Sequence, residues 1–172
     1  GVVRVARASS RRAKQTRDVA AVTRGRQDAG AVGTDVGRVG HSLGGQGALF
    51  ALAVDPRLTR GVVSCGIGAR ASFESERSRH KPAWFVPGLT AAGDVPLVAS
   101  AVDQPVFVAA GHDDCLFPLH GVQQVLEAFR PGILTTEVFN GGHAMPAYVL
   151  DAAVRHLLRE RNADCPPPPP GR

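Results

Sequence analysis

One serine, one histidine and two adjacent aspartates stand at positions suited to acyl transfer. Ser42 lies in Gly40-His41-Ser42-Leu43-Gly44, with a short apolar stretch before it and a helix-forming stretch after it. A G-x-S-x-G turn between a strand and a helix can hold a serine hydroxyl in the open as a nucleophile. That hydroxyl is weakly nucleophilic at neutral pH, so it needs an imidazole to take its proton and a carboxylate to orient the imidazole. Downstream, the stretch "AGHDDCLFP" offers Asp113 and Asp114, and "NGGHAMP" offers His143. Taken alone, Ser42 also suits a helix N-cap, Asp114 a turn and His143 a loop capping the next helix.

Elements able to position these groups alternate along the chain. "VGRVG" (36–40) predicts a short buried strand, and "LGGQGALFALAV" (43–54) has helical apolar spacing. "RGVVSCG" (60–66) predicts a second strand, entered through the turn-prone "DPR". "QPVFVAAG" (104–111) is a third strand, and "HGVQQVLEAFR" (120–130) is an amphipathic helix stopped by Pro131-Gly132. "ILTTEVF" (133–139) is a fourth strand, and "PAYVLDAAVRHLLRER" (146–161) is a helix with proline at its start and basic residues in its last turn. Residues 67–103 read as an irregular excursion. Strands alternating with helices imply an α/β fold with a mostly parallel sheet and flanking helices. In such a sheet, sites form beyond the carboxyl ends of the strands, where Asp113, Asp114 and His143 fall.

Composition limits what the site can serve. The 172 residues suit one domain with a sizeable core, and 44% hydrophobic with 20% charged residues is a globular balance. No apolar run approaches the ~18 residues of a membrane span. The net charge of +5 sits in the first 30 residues, which carry eight Arg or Lys against Asp18 and Asp28, so the rest is nearly neutral. That basic leader, residues 1–34, lacks aromatics for stacking bases and carries no nucleic-acid motif; it reads as a solvated, poorly ordered or partly helical segment. Residues 162–172, with "CPPPPPGR", read as a solvated polyproline tail. No signal-peptide pattern occurs in the leader, so a soluble protein is expected, cytoplasmic or secreted. The chain opens on Gly1 with Met145 as its single methionine, which reads as a processed product or a piece of a longer protein. Cys65, Cys115 and Cys165 lack metal-ligand spacing and read as reduced, non-catalytic thiols; no cofactor or metal is expected. His41 reads as packing beside the turn. His80, His112, His120 and His156 read as surface or helix residues, and Trp84, Phe85 and Phe107 as core.

The order Ser42, Asp114, His143 and three motifs in sequence resemble the C-terminal part of an α/β-hydrolase, over about residues 35–161. "PVFVAAGHDDCLFP" resembles that family's strand followed by G-x-x-D and a proline four residues later, with Gly111, Asp114 and Pro118 in those places. This register selects Asp114 over Asp113. "GHSLGG", "DPR", "GHDD" and "GGH" are most similar to dienelactone hydrolases, acetyl-xylan esterases and cutinase-like enzymes. The resemblance implies a serine-dependent hydrolase of small-molecule or polymeric carboxylic esters. Ser42 would be the nucleophile, His143 the proton carrier, Asp114 the orienting acid and the Leu43 backbone N–H an oxyanion donor. Gly40 and Gly44 would flank the nucleophile because the strained turn leaves no room for side chains there.

The family also has four strands before the nucleophile's strand, and a loop among them supplies a second oxyanion donor. Only about 35 residues precede that strand here, and none forms an HGGG-like stretch. An α/β-hydrolase fold lacking its N-terminal strands is therefore expected. Its first strand would be open to self-association or to a partner segment. Two alternatives follow from this departure and from the shared triad: a catalytically impaired fragment or non-catalytic scaffold, and a serine peptidase.

Overall fold

In the computed structural model the described residues are 36–75 and 93–158. The leader over 1–34, the tail over 162–172, His80, Trp84, Phe85 and Cys165 lie outside them.

Four strands form one parallel sheet in the order β1 (Val36–His41), β2 (Leu58–Ser64), β3 (Val106–Gly111) and β4 (Leu134–Phe139). All six residues of β3 are buried, as a central strand covered on both faces requires. β4 alternates less regularly and leaves Thr135, Thr136 and Val138 exposed, in keeping with a place at the sheet's margin. Among the described residues β1 holds the other margin. Parallel pairing sets His41 beside Ser64, and Gly111 beside Phe139.

Each face of the sheet has its own core. On one, helix α1 (Leu43–Val54) packs Ala48, Leu49 and Leu52 against Val63, Val106 and Val108. Helix α1 is apolar nearly all round, which suits an element buried against the sheet. Gly61 makes room for it, since a Cβ there would lie 2.2 Å from Leu52 Cδ1. On the other face, helix α5 (Ala147–Leu158) packs Val149, Ala153 and Leu157 against Val62, Phe107 and Phe139. Phe107, expected in the core, is 2% exposed.

The turn after α1 follows from "DPR". Asp55 accepts hydrogen bonds from the Arg57 backbone N–H and from its guanidinium, with Nε and Nη2 both at 2.7 Å, so the fork closes on one carboxylate. That bond holds the Arg57 pKa above its ordinary value.

The stretch expected to be irregular over 67–103 contains two short helices, α2 (Arg70–Ser75) and α3 (Val95–Ser100). Asp94 caps α3 by accepting from Val95 N–H at 2.6 Å, and it also accepts from Arg70 N–H at the start of α2. Six-residue helices span under two turns, too few for an apolar period to show, and the Asp94 cap ties segments more than twenty residues apart. Helix α4 runs Leu119–Leu126 and stops short of the predicted Arg130. Its end tightens into i→i−3 bonds, Ala128 N–H to Val125 and Phe129 N–H to Leu126, which turn the buried Phe129 into the core. β2 begins and ends two residues before the predicted strand, because the chain turns at Cys65 with φ 42°. His156 lies on α5 but is buried, its ring 5.9 Å from Phe107 and its Nε2 3.4 Å from the Pro105 carbonyl, so it belongs to packing rather than to the surface.

Arg38 is the anomaly of β1. Gly37 lies under Leu157 of α5, so the pleat turns Arg38 to the α1 face, where it is 4% exposed. Among the described residues its Nε and Nη2 find no hydrogen-bond partner, and burial lowers its pKa. An unsatisfied buried donor costs about 1–3 kcal/mol. Arg38→Met, which keeps the aliphatic stem without the guanidinium, is expected to raise stability by an amount of that order, measured as the shift in urea unfolding midpoint. A lower midpoint would mean that Arg38 is stabilising where it sits.

Candidate active site

β1 ends at His41, and α1 begins at Leu43, so Ser42 must reverse the chain alone. It does so at φ 56° and ψ −125°, in the left-handed half of backbone space, which costs a non-glycine residue about 1–3 kcal/mol. The Ser42 N–H donates to the Ser64 carbonyl of β2 at 2.8 Å, while its own carbonyl accepts from Gly45 and Gln46. The turn is thus over-determined by both neighbours, as a strained residue requires. The Ser42 hydroxyl does not cap α1. It lies instead 2.8 Å from His143 Nε2.

His143 is carried by the loop after β4. Its Nδ1 is 2.9 Å from Asp114 Oδ2. A carboxylate only accepts, so Nδ1 carries the proton and donates to Asp114, leaving Nε2 to accept from the Ser42 hydroxyl. The Asp114 side chain is 1% exposed and that of His143 is 28% exposed, so the carboxylate is shielded while the imidazole reaches toward solvent. The second oxygen, Asp114 Oδ1, accepts from the backbone N–H groups of Leu116 and Phe117. Asp113 points outward, its side chain 72% exposed and paired with His112 at 2.8 Å. The structure thus brings Ser42, His143 and Asp114 into one hydrogen-bonded line and leaves Asp113 out of it.

The loop carrying His143 is pinned close to the end of β3. Asp113 N–H donates to the Gly141 carbonyl at 2.9 Å, and a Cβ at Gly111 would lie 2.1 Å from the Gly142 carbonyl oxygen. The Phe117 ring stacks on His143, nearly parallel at 3°, with centroids 5.8 Å apart.

Leu43 supplies the first amide of α1, one of the N-terminal N–H groups that a helix leaves without an internal acceptor. The positive end of the helix dipole lies there too.

The glycines at the turn divide differently from the expectation. A Cβ on Gly40 would lie 1.9 Å from the Gly44 carbonyl oxygen, so that position admits no side chain. Gly44, expected to be equally confined, would meet nothing within 4 Å. It is the Gly44 carbonyl, not its Cα–H, that faces Gly40, and its own Cβ direction is open. The crowded partners are Gly45, where a Cβ would lie 2.9 Å from the Ser64 carbonyl oxygen, and Gly66, where one would lie 2.3 Å from the Ser42 carbonyl oxygen. They let α1 and the chain after β2 approach closely, and no local motif marks them. Gly40→Ala is expected to lower stability by about 1–3 kcal/mol or more, while Gly44→Ala raises it by about 0.5–1 kcal/mol through helix propensity. Thermal unfolding of the two variants checks this, and equal destabilisation would refute the asymmetry.

No family model matches the sequence, and no curated protein matches it. Solved structures do. A peptidase of Mycobacterium tuberculosis that hydrolyses puromycin superposes with a TM-score of 0.68 at 18% identity, over 83% of this chain and 24% of that one. An esterase of Pyrococcus furiosus gives 0.66 at 17% identity, over 88% and 63%. A 2,6-dihydroxy-pseudo-oxynicotine hydrolase gives 0.59 at 24% identity, over 83% and 43%. The chain has the α/β-hydrolase fold. It spans less than two thirds of the length of each of these α/β-hydrolases.

Beside the triad-like line of this α/β-hydrolase fold, Cys65 is buried with its thiol pKa pushed up by that burial, and Cys115 is exposed; both are free. Among the described residues no cluster of His, Cys, Asp or Glu could hold a metal ion, and no helix is long and apolar enough to cross a membrane. His112 and His120 are exposed and away from the line. His41 is exposed too but lies close to the line: its ring centroid is 5.0 Å from that of His143.

Proposed function

We propose that this chain carries the catalytic triad of a serine-dependent hydrolase acting on carboxylic esters of small molecules or polymers. The observation that supports it most is the unbroken line Ser42 Oγ to His143 Nε2 at 2.8 Å and His143 Nδ1 to Asp114 Oδ2 at 2.9 Å. Ser42 Oγ attacks the ester carbonyl carbon while its proton passes to His143 Nε2. The oxyanion that forms is stabilised by the Leu43 N–H at the start of α1. Collapse expels the alcohol, which takes the proton from His143, and leaves an acyl-serine. Water then attacks that ester with His143 as base, releasing the carboxylic acid and restoring the Ser42 hydroxyl. The Asp114 carboxylate holds the Nδ1–H tautomer and balances the transient imidazolium.

The bland reading of Ser42 as a helix cap gains no support, since its hydroxyl makes no cap bond. The experiment is labelling of the folded chain with a fluorophosphonate, mapped by peptide mass spectrometry, alongside turnover of short-chain aryl esters and of peptide amides. Modification confined to Ser42 with ester turnover supports the proposal. Modification with amide turnover alone would move the chain to the peptidase reading. Absence of both would support the non-catalytic scaffold.

A further inference from the structure

His41 is the last residue of β1, directly before Ser42. Because parallel register sets it beside Ser64, the two side chains share one face of the sheet, and His41 Nδ1 hydrogen-bonds to the Ser64 hydroxyl at 3.1 Å. Ser64 itself is 1% exposed, so the anchor is rigid. From that anchor the His41 ring reaches the His143 ring at 5.0 Å, inclined by 51°. His143 sits in a loop; its two in-line hydrogen bonds leave tilt about that line to be set by its ring neighbours, Phe117 stacked on it and His41 inclined to it.

We propose that His41 is a positioning residue: tied to β2 through Ser64, it holds the His143 ring and its loop in line between Asp114 and Ser42. The inference rests on the hydrolase reading and deepens it.

Charge adds a requirement that a packing residue would not have. His143 becomes an imidazolium in each proton transfer, and a second cation 5.0 Å away would oppose that. Among the described residues, His143 and Asp114 are the charged or titratable groups acting on His41. Desolvation, and after it the His143 ring, lower the pKa of His41 from the ordinary 6.5, against the pull of Asp114. That lowering favours the neutral form of His41 beside the His143 ring. The folded state resists protonation of His41, so its contribution to stability is present above the ordinary imidazole value and is lost as pH falls through it.

The test compares wild type with His41→Phe, which keeps a ring but loses the Ser64 bond and the charge, and with His41→Asn, which keeps a polar atom near the Nδ1 position. The readouts are the rate of fluorophosphonate inactivation as a function of pH and the NMR signal of the His143 Nδ1 proton, which needs no activity. In His41→Phe the plateau rate is expected to fall about tenfold or more, as small misplacements of a reacting group do, with the Nδ1 proton signal broadened. His41→Asn recovers most of the plateau rate and a sharp Nδ1 proton signal. Wild-type rate and proton signal in His41→Phe overturn the proposal, as does a loss confined to thermal stability. If Ser42 fails to react in the wild type, the hydrolase reading falls, and the NMR comparison alone decides whether His41 positions His143.

Discussion

Ser42→Ala is expected to lower ester turnover by about 10⁶-fold and to leave the fold in place. The loss is large because the hydroxyl is the group that His143 Nε2 meets at 2.8 Å, and without it no acyl-serine can form. What remains is water attack assisted by any oxyanion donor, the residual seen when a triad's nucleophile is removed. Stability should move by less than about 1 kcal/mol, because the Ser42 hydroxyl caps no helix amide and alanine bears the same φ of 56° at similar strain. Turnover and thermal unfolding of the purified variant check both halves. Retained turnover would place the nucleophile elsewhere and remove the proposed mechanism.

Asp114→Asn is expected to cost about 10⁴-fold in turnover with a small change in stability, and Asp113→Asn very little. The substituted carboxamide would keep an oxygen for the Leu116 and Phe117 amides, so the turn survives. Its nitrogen would face His143 Nδ1, and two donors cannot share that bond. The imidazole then prefers the opposite tautomer, with the proton on Nε2, where it can no longer accept from Ser42. Asp113, 72% exposed and paired with His112, has no such influence. Comparable or reversed effects of the two variants, measured as kcat/KM, would show that the hydrogen bond at 2.9 Å does not orient the imidazole in solution.

The elements that carry these residues were largely legible in the sequence. β-branched runs such as "VFVAAG", the apolar spacing of "ALFALAV" and the turn chemistry of "DPR" act within a few residues, and the corresponding strand, helix and Asp55–Arg57 turn form where those signals lie. Less legible were α2 and α3, each too short to show a period and joined by one carboxylate, Asp94. The early end of α4 was hidden for a related reason: the pull of the core on Phe129 overrides the helical tendency of "LEAFR".

For the candidate site the division is sharper. Local sequence determines that a lone serine sits between strand and helix and that Gly40 must lack a side chain, because the turn itself creates the crowding. It also places carboxylates and an imidazole after the third and fourth strands, since turn residues end those strands. The motif register already pointed to Asp114, but why Gly45 and Gly66 must be small and how His41 reaches both Ser64 and His143 were decided by the tertiary structure. Each depends on parallel register and on contacts between segments far apart in the chain, 101 residues in the case of Ser42 and His143. A shift of one residue in a strand turns its side chains to the opposite face, so these contacts exist only once the whole sheet has paired.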